Sequence, residues 1–578
     1  MSDHRFASYR YLPHLAGALA FLVVLLPGAT FLHAQLSTQA TITGTVTDST
    51  GAVVSGATVT LTDDATKVST VTKTNSDGVY IVRDLVVDMY TVSITRKGFK
   101  TYTVSGVELH PTETVTVNAT LTVGAETQNV TVNAVSTEVE TTTPEVSADV
   151  SSEEISTLPM NGRNYQALAV MMPGVTASSQ GSSLGTGGRS TSSVLSINGL
   201  DVSRSFYVLD GVWNENTGNM TANSVVPNPD SLEEVRVLQN NFSAQYSLLG
   251  SSVIIAQTKS GTANWHGTAW EFLRNTNLNA INYFSTAAAP YHQNIFGYNA
   301  SGPVYIPHHY NSDKKKTFFF WDEQWVILHV PSQNTSTIPT KLQAAGCFFS
   351  PVKDPVTGSL FPTSAGGSCP AGYYQIPSSR INTSSAAYVA TLYPAPNYVL
   401  PGSTTNYINN KAQITDQRDD EIKIDHNFTP KYHAMGEYLD EYQSYAQNTE
   451  SPGTTPISTE TDFTHNKLAQ VSLTQTLTPN MINTTSVAMN IYLLNLTLVG
   501  VDYINQLPGF AETLYYPNGL YANRTPVISF TGGMAGEGIQ AARPIPHASD
   551  LDNTVSDNWS WLKGKNYFTA GVTFVFNT

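Results

Sequence analysis

Charge is scarce in this chain: Asp, Glu, Lys and Arg make up 13% of its 578 residues, about half the share of an ordinary soluble domain. Basic residues are the scarcer kind, 29 Lys and Arg against 44 Asp and Glu, and the formal net charge is -15. No basic stripe with interleaved aromatics is present to neutralise phosphates, so nucleic acid is not an expected partner. Long apolar runs are missing too. The run from Leu15 to Leu26 falls well short of the roughly 20 residues a helix needs to span a bilayer, and no later segment is longer. A helical transporter is excluded, and a chain of this kind enters a membrane only as a closed barrel, whose strands satisfy one another's backbone groups.

Cysteine is almost absent. Cys347 and Cys369 lie in a Gly, Pro and Ser-rich stretch. No CxxC spacing or nearby His supports metal binding by the pair, and the plain expectation for an exported chain is a disulfide closing that loop. Export is expected because Arg5 and Arg10, the apolar run, and Leu32-His33-Ala34-Gln35 have the order of a secretory signal cleaved after Ala34, covering residues 1–34. The chain is long enough for several domains or one large barrel.

What is plentiful is Thr, Ser, Asn, Gly and Tyr in β-type patterns. Residues 40–122 alternate polar and apolar in short runs, such as Ala57-Thr58-Val59-Thr60-Leu61 and Tyr90-Thr91-Val92-Ser93-Ile94. Gly51, Gly56, Asp77-Gly78 and Lys97-Gly98 punctuate them as turns, which predicts a sandwich of about seven strands. Residues 122–159 read as a connector with one or two strands. Next, Leu168, Met171 and Met172 fit one face of a short helix stopped by Pro173-Gly174. Asn198-Gly199 and Asp210-Gly211 are tight-turn dipeptides. Beyond Leu273, strand pairs recur, notably His465 to Leu477 with Met481 to Tyr492, and Asn553 to Leu562 with Tyr567 to Phe576. Lys314-Lys315-Lys316 reads as a solvated turn before the strand Thr317 to Trp321, whose aromatics suit a membrane-interface girdle. The tracts from Gly346 to Ile376 and Val501 to Ala542 have the length of extracellular loops.

One motif invites an enzyme. Gly181-Ser182-Ser183-Leu184-Gly185 matches G-x-S-x-G, but it sits in a Ser/Gly-rich loop without the strand and helix that expose a nucleophilic serine. No HExxH, P-loop or dinucleotide fingerprint occurs. No catalytic residue and no cofactor are expected.

Two resemblances follow from specific residues. Gly44-Thr45-Val46-Thr47-Asp48, Val54-Ser55-Gly56-Ala57-Thr58-Val59, Asn75-Ser76-Asp77-Gly78-Val79-Tyr80 and Lys97-Gly98-Phe99 resemble the carboxypeptidase regulatory-like domain, a transthyretin-like sandwich grouped with carbohydrate-binding folds. Tyr80, Tyr90 and Phe99 read as core aromatics rather than a sugar site. Val87-Asp88-Met89 departs from the family's Pro-Gly at that turn. Leu158-Pro159-Met160-Asn161-Gly162-Arg163-Asn164-Tyr165, Ile197-Asn198-Gly199 with Tyr207-Val208-Leu209-Asp210-Gly211-Val212, Pro229 to Val237 with Phe242 to Tyr246, and Thr258 to Arg274 resemble, in family order, the plug and first barrel strands of TonB-dependent receptors of the Oar-like group.

The expected fold is therefore mainly β: an N-terminal β-sandwich of transthyretin or Ig-like type at 40–122, a connector and α+β plug at 123–260, and a partial transmembrane antiparallel β-barrel at 261–578. The resemblance implies an outer-membrane receptor, with sandwich and plug on the periplasmic side. Its implied partners are outer-membrane lipid, a TonB-like energy-transducing protein and an extracellular solute such as a saccharide or metal chelate. Barrels of that family have about 22 strands, more than 261–578 supplies, and Phe574-Val575-Phe576-Asn577-Thr578 does not end on an aromatic. The expectation is a fragment. Thr127, Gln128, Asn129, Val130, Thr131 and Val132 are the candidate segment for contact with the energy transducer by strand addition. Asp210, Glu233, Glu234 and Arg236 are candidates either for turn and surface charge or for a network that holds the plug. The rival reading is a surface adhesion or carbohydrate-binding outer-membrane protein without transport.

Overall fold

The computed structural model describes residues 39–124, 129–133, 144–158, 160, 163–177, 195–201, 204–215, 224–246, 252–281, 291–331, 334–398, 404–409, 412–447, 459–499, 508–509, 547–564 and 566–577. The signal segment, the G-x-S-x-G loop, Thr127 and Gln128 lie outside them.

The sandwich is built from β1 (Ala40–Asp48), β2 (Thr58–Asp63), β3 (Ser69–Lys73), β4 (Val79–Leu85), β5 (Met89–Thr95), β6 (Thr101–Glu108), β7 (Thr114–Thr116), β8 (Ala119–Leu121) and β9 (Asn129–Asn133). One sheet has β1 between β4 and the pair β7 and β8. The other runs β3-β2-β5-β6-β9. Alternation does the sorting: on β2, Val59 and Leu61 are buried while Thr58, Thr60 and Thr62 face out. Each such side chain contributes roughly 1.5–3 kcal/mol by leaving water. Tyr80 and Tyr90 belong to this core, with Phe99 packed against it. The Tyr80 hydroxyl donates to the Val117 carbonyl at 2.7 Å. Gly44 is required here, because a Cβ would lie 2.0 Å from the Val117 oxygen.

The plug comprises β10 (Val146–Ser151), β11 (Val175–Ala177), β12 (Leu195–Ile197), β13 (Ser205–Leu209), β14 (Val212–Trp213), β15 (Leu232–Asn240) and β16 (Ser252–Thr258). Its main sheet runs β10-β15-β16-β13-β14. Tyr207, Leu209, Val235, Val237 and Ile254 pack on one face of it, and Phe206, Val208, Trp213, Leu238 and Val253 on the other. Burial on both faces explains why β16 is buried throughout rather than alternating. Asp210 and Gly211, at φ 45° and 86°, make the β13–β14 hairpin turn that their sequence predicts.

Three local expectations change. β9, which lies in the expected connector, pairs with β6 and extends the sandwich beyond residue 122 and beyond seven strands. The helix before Pro173 spans only Gln166–Ala169; Leu168 and Met172 are buried, but Met171 is 67% exposed. The connector adds a helix, Ser152–Thr157, where strands alone were expected. Ser151 and Glu154 close a reciprocal capping box at its start, a pattern visible in the sequence.

Among the described residues, the third unit is a nine-stranded antiparallel sheet. Its strands are β17 (His266–Asn275), β18 (His292–Pro303) and β19 (Thr317–Pro331), then β24 to β29. Between these groups, β20 (Asn334–Ser336), β21 (Cys347–Phe348), β22 (Tyr374–Gln375) and β23 (Tyr407–Asn409) belong to a loop. The long strands resume with β24 (Ala412–Thr429), β25 (Tyr432–Gln447), β26 (Thr459–Thr478), β27 (Met481–Val499), β28 (His547–Lys563) and β29 (Asn566–Asn577). Both long hairpins read from the sequence are present. On β24, Asp419, Glu421, Lys423 and Asp425 are buried inward while Ile422 and Ile424 are over 40% exposed, the two-faced pattern of a wall between lipid and lumen. The aromatics of β19 divide in the same way, Phe318 and Phe320 inward, Trp321 outward. No helix among the described residues is long and apolar enough to cross a membrane.

Chain ends of the strands differ by side. Pro430–Lys431 and Pro479–Asn480 join β24 to β25 and β26 to β27, and β29 starts three residues after β28 stops, while the link from β18 to β19 on this side, residues 304–316, is longer. At the other end, residues 332–411, 448–458 and 500–546 make the connections. Short turns mark the periplasmic end of outer-membrane barrels and long loops the extracellular end.

Candidate functional site

The functional region is the surface where the plug meets the sheet's inner wall. Asp210, placed by its hairpin turn, forms an ion pair with Lys423 of β24 at 2.8 Å, with side chains only 3% and 4% exposed. Its carboxylate also accepts from the Thr258 amide at 3.2 Å and hydroxyl at 2.8 Å. Lys423 donates to the Thr258 carbonyl at 3.2 Å, and the Thr258 hydroxyl lies 2.9 Å from Glu437 of β25, which Gln470 of β26 also contacts. The last plug strand and the plug hairpin are thereby tied to three wall strands.

A second tie uses Arg163, held in a left-handed conformation at φ 52°. It pairs with Asp230 and lies over the Phe272 ring of β17 at 4.0 Å. Lys259 donates to the Asp230 carbonyl at 3.0 Å, and Asn228 contacts Asp322 of β19. Higher up, the Val226 amide donates to Glu441 at 3.1 Å and Asn490 donates to the Trp213 carbonyl at 2.6 Å. These ties are polar and so is much of the wall they meet, where Asp322, Gln324, Glu421, Asn466, Gln470 and Asn490 are buried, with Leu439, Leu468 and Ala488 making an apolar contact to the plug's core.

The sandwich sits at the short-turn end. Arg83 donates to Ser560 at 2.7 Å and covers the Tyr567 ring at 4.1 Å, Asn75 donates to the Gly564 carbonyl at 2.9 Å, and the Ala263 amide donates to the Ala65 carbonyl. His110, in the turn between β6 and β7, meets Glu234 of the plug at 2.9 Å. That hydrogen bond pushes His110 up to about 9, while burial pushes Glu234 up to about 7.

The four charges singled out from the sequence do not form one cluster. Asp210 goes to the wall. Glu234 goes to the sandwich, and Arg236, two residues on and on the same face, pairs with Asp149 at 3.3 Å and Glu145 at 3.6 Å. Glu233 points the other way, into a cavity of about 310 Å³ that Asp63, Asp88, Ser260 and His433 also line, and burial pushes its carboxyl up. Period-two alternation on β15 dictates this split. Lys423, Glu437, Arg163 and His110 were not singled out. Inward-facing charges in an otherwise two-faced strand were the available signal for Lys423 and Glu437.

Residues 257–578 match the family model described as an outer membrane beta barrel domain. The chain belongs to the outer-membrane β-barrel family. Residues 138–251 match the TonB-dependent receptor plug domain and 41–122 the carboxypeptidase regulatory-like domain, so this is a barrel of the TonB-dependent receptor kind, located in the outer membrane with the plug and sandwich on its periplasmic side. Similar solved structures include the outer membrane transporter YddB from Escherichia coli, at 10% identity and TM-score 0.43 over 74% of this chain and 48% of that one. A mutant ferric enterobactin receptor, PfeA, from Pseudomonas aeruginosa in complex with enterobactin shows 11% identity and TM-score 0.38 over 76% and 50%. The copper transporter OprC shows 8% identity and TM-score 0.38 over 77% and 47%. This receptor chain thus spans about half the length of those structures. No curated protein matches it.

In this receptor, the loop after β19 is a small folded unit. Cys347 and Cys369 are bonded, with Cα atoms 5.5 Å apart, and Arg380 clamps Asp354 through bonds of 3.0 and 2.9 Å. Of the candidate energy-coupling segment, Asn129 to Val132 lie in β9, paired in parallel with Thr101 to Val104 of β6, and β9 is the outer strand of its sheet.

Proposed function

We propose that this receptor takes up an extracellular solute, which the loops and the upper plug surface capture and which passes when the plug shifts against the wall. The observation that carries the reading is the chemistry of the plug–wall surface. A plug meant to stay in place would bury apolar side chains, as the plug's own core does, since interiors that are never rearranged pack apolar groups. Here, apart from Leu439, Leu468 and Ala488, which join the plug's apolar cluster, the wall presents carboxylates, amides and hydroxyls, and polar ties hold the plug. Water can replace each such tie at small net cost, because hydrogen bonds exchange between protein and solvent with little change in free energy.

The energy for that shift would come through an extended segment adding a strand to a periplasmic transducer. Residues 127–132 remain our candidate: β9 has one edge on β6 and is the outermost strand of its sheet among the described residues. The solute class is set no more narrowly than a saccharide or a metal chelate. A position on the short-turn side keeps the sandwich away from an extracellular partner, which favours transport over adhesion through that domain.

The test is uptake of labelled saccharides and metal chelates by cells carrying the receptor. Deleting residues 126–134 should abolish energised uptake and leave membrane insertion intact. Uptake that continues undiminished removes the segment's assignment, and absence of uptake for every solute in the intact receptor removes the transport reading.

A further inference from the structure

At the junction of sandwich and plug, three side chains from three separate parts of the chain converge. His110 comes from the β6–β7 turn, Asp149 from β10 and Glu234 from β15. One ligand atom of each, a ring nitrogen and two carboxylate oxygens, lies within 4.8 Å of the others. The backbone fixes all three. The Leu109 amide bonds the Asp88 carbonyl at 3.2 Å, the Glu113 amide bonds the His110 carbonyl at 3.1 Å, and the His110 amide donates to the Glu113 carboxylate at 3.1 Å. β10 and β15 pair with Asp149 opposite Arg236 and Ser151 opposite Glu234, so Asp149 and Glu234 are diagonal neighbours on one face.

We propose that His110, Asp149 and Glu234 bind a first-row divalent cation, zinc being the best match, which would fasten the sandwich to the plug. One imidazole and two carboxylates suit zinc, which takes nitrogen and oxygen ligands in a four-coordinate shell. Asp149 is exposed, so water can reach the site to complete the shell. Arg236 keeps its bond to Ser147 at 2.8 Å and its contact with Glu145 when Asp149 turns to a metal.

The site is independent of the transport reading, because it needs only the docked sandwich and plug. The experiment uses the full chain without an affinity tag, folded in detergent, titrated with zinc and with cobalt as a spectroscopic probe. One equivalent should bind with submillimolar affinity, and zinc-edge X-ray absorption should show a nitrogen and oxygen shell containing a single imidazole. His110→Gln and Glu234→Gln should each weaken binding at least about tenfold, since even the loss of an outer-shell partner costs that much. His308→Ala combined with His309→Ala removes the adjacent exposed histidines and should change nothing. Zinc should also raise the Tm of the unmodified chain but not that of His110→Gln. If zinc binding is absent, or survives both ligand substitutions in chains whose β-sheet circular dichroism is unchanged, the site is refuted.

Discussion

Replacing Lys423 by methionine keeps most of the side chain's length and removes its charge, leaving Asp210 buried without its ion-pair partner. Breaking one side of a buried pair costs about 3–5 kcal/mol. The lower end applies here, because the Thr258 amide and hydroxyl still bond the Asp210 carboxylate at 3.2 and 2.8 Å and carry part of its solvation. About 3 kcal/mol corresponds to roughly a hundredfold in an equilibrium constant. Local opening of the plug should therefore increase by about that factor, and amide hydrogen exchange reads this directly at Leu209 to Val212 and in β16. The double variant Asp210→Asn with Lys423→Met removes the stranded charge and should recover most of the protection, since replacing both partners of a buried pair is close to neutral. Exchange rates in Lys423→Met within about threefold of the parent, or a double variant no better than the single one, would show that this pair does not hold the plug.

Three further outcomes follow from named contacts. Arg163→Lys keeps the charge opposite Asp230 but loses the planar stack on Phe272, so it should loosen the plug by about 0.5–2 kcal/mol and Arg163→Ala by more, as read by urea unfolding. Replacing Cys347 and Cys369 by serine should cost the loop roughly 3 kcal/mol for a closed loop of this length, seen as faster proteolysis within residues 341–392, with the β-sheet signal intact. Asp88 lies on the cavity between sandwich and plug, and burial, with Asp63 beside it, pushes its carboxyl up to about 7. A folded carboxyl that holds its proton more tightly than the free one makes no demand below about pH 4 and its full destabilisation above about pH 7. The docked sandwich should thus weaken as pH rises through that window, and Asp88→Asn should flatten the thermal-melting profile; an equally steep profile in the variant would discard the assignment.

The sandwich and the long hairpins were legible because strand periodicity is local and turn residues punctuate it: Asp210-Gly211 announced its hairpin, and the alternation at 465–492 announced two strands. Met171 misled for a physical reason. A four-residue helix turns too little for Leu168, Met171 and Met172 to share one face, and the chain bends at Pro173 before a second turn forms. The helix Ser152–Thr157 could have been found from its capping box, which a Thr, Val and Glu-rich composition obscured. The site itself was less legible. Asp210 was named, but Lys423 lies 213 residues away, and no local pattern pairs them. Glu234 was grouped with Glu233 by adjacency, although neighbours on a strand face opposite sides, and its partner His110 belongs to another domain. Sequence reports the direction a side chain takes from its own strand and not what another part of the chain places there.

The central claim, that solute passes only when the plug moves against the wall, is tested most directly by locking that surface. Asp210 and Lys423 meet side chain to side chain, 2.8 Å apart. Cysteines at both positions, bridged by a short bifunctional thiol reagent, would pin the plug to β24 while Cys347 and Cys369 remain occupied with each other. Energised uptake should stop in the bridged receptor and return when a cleavable bridge is cut, with solute binding at the cell surface unchanged throughout. Uptake that proceeds at the same rate with the bridge in place would contradict the account.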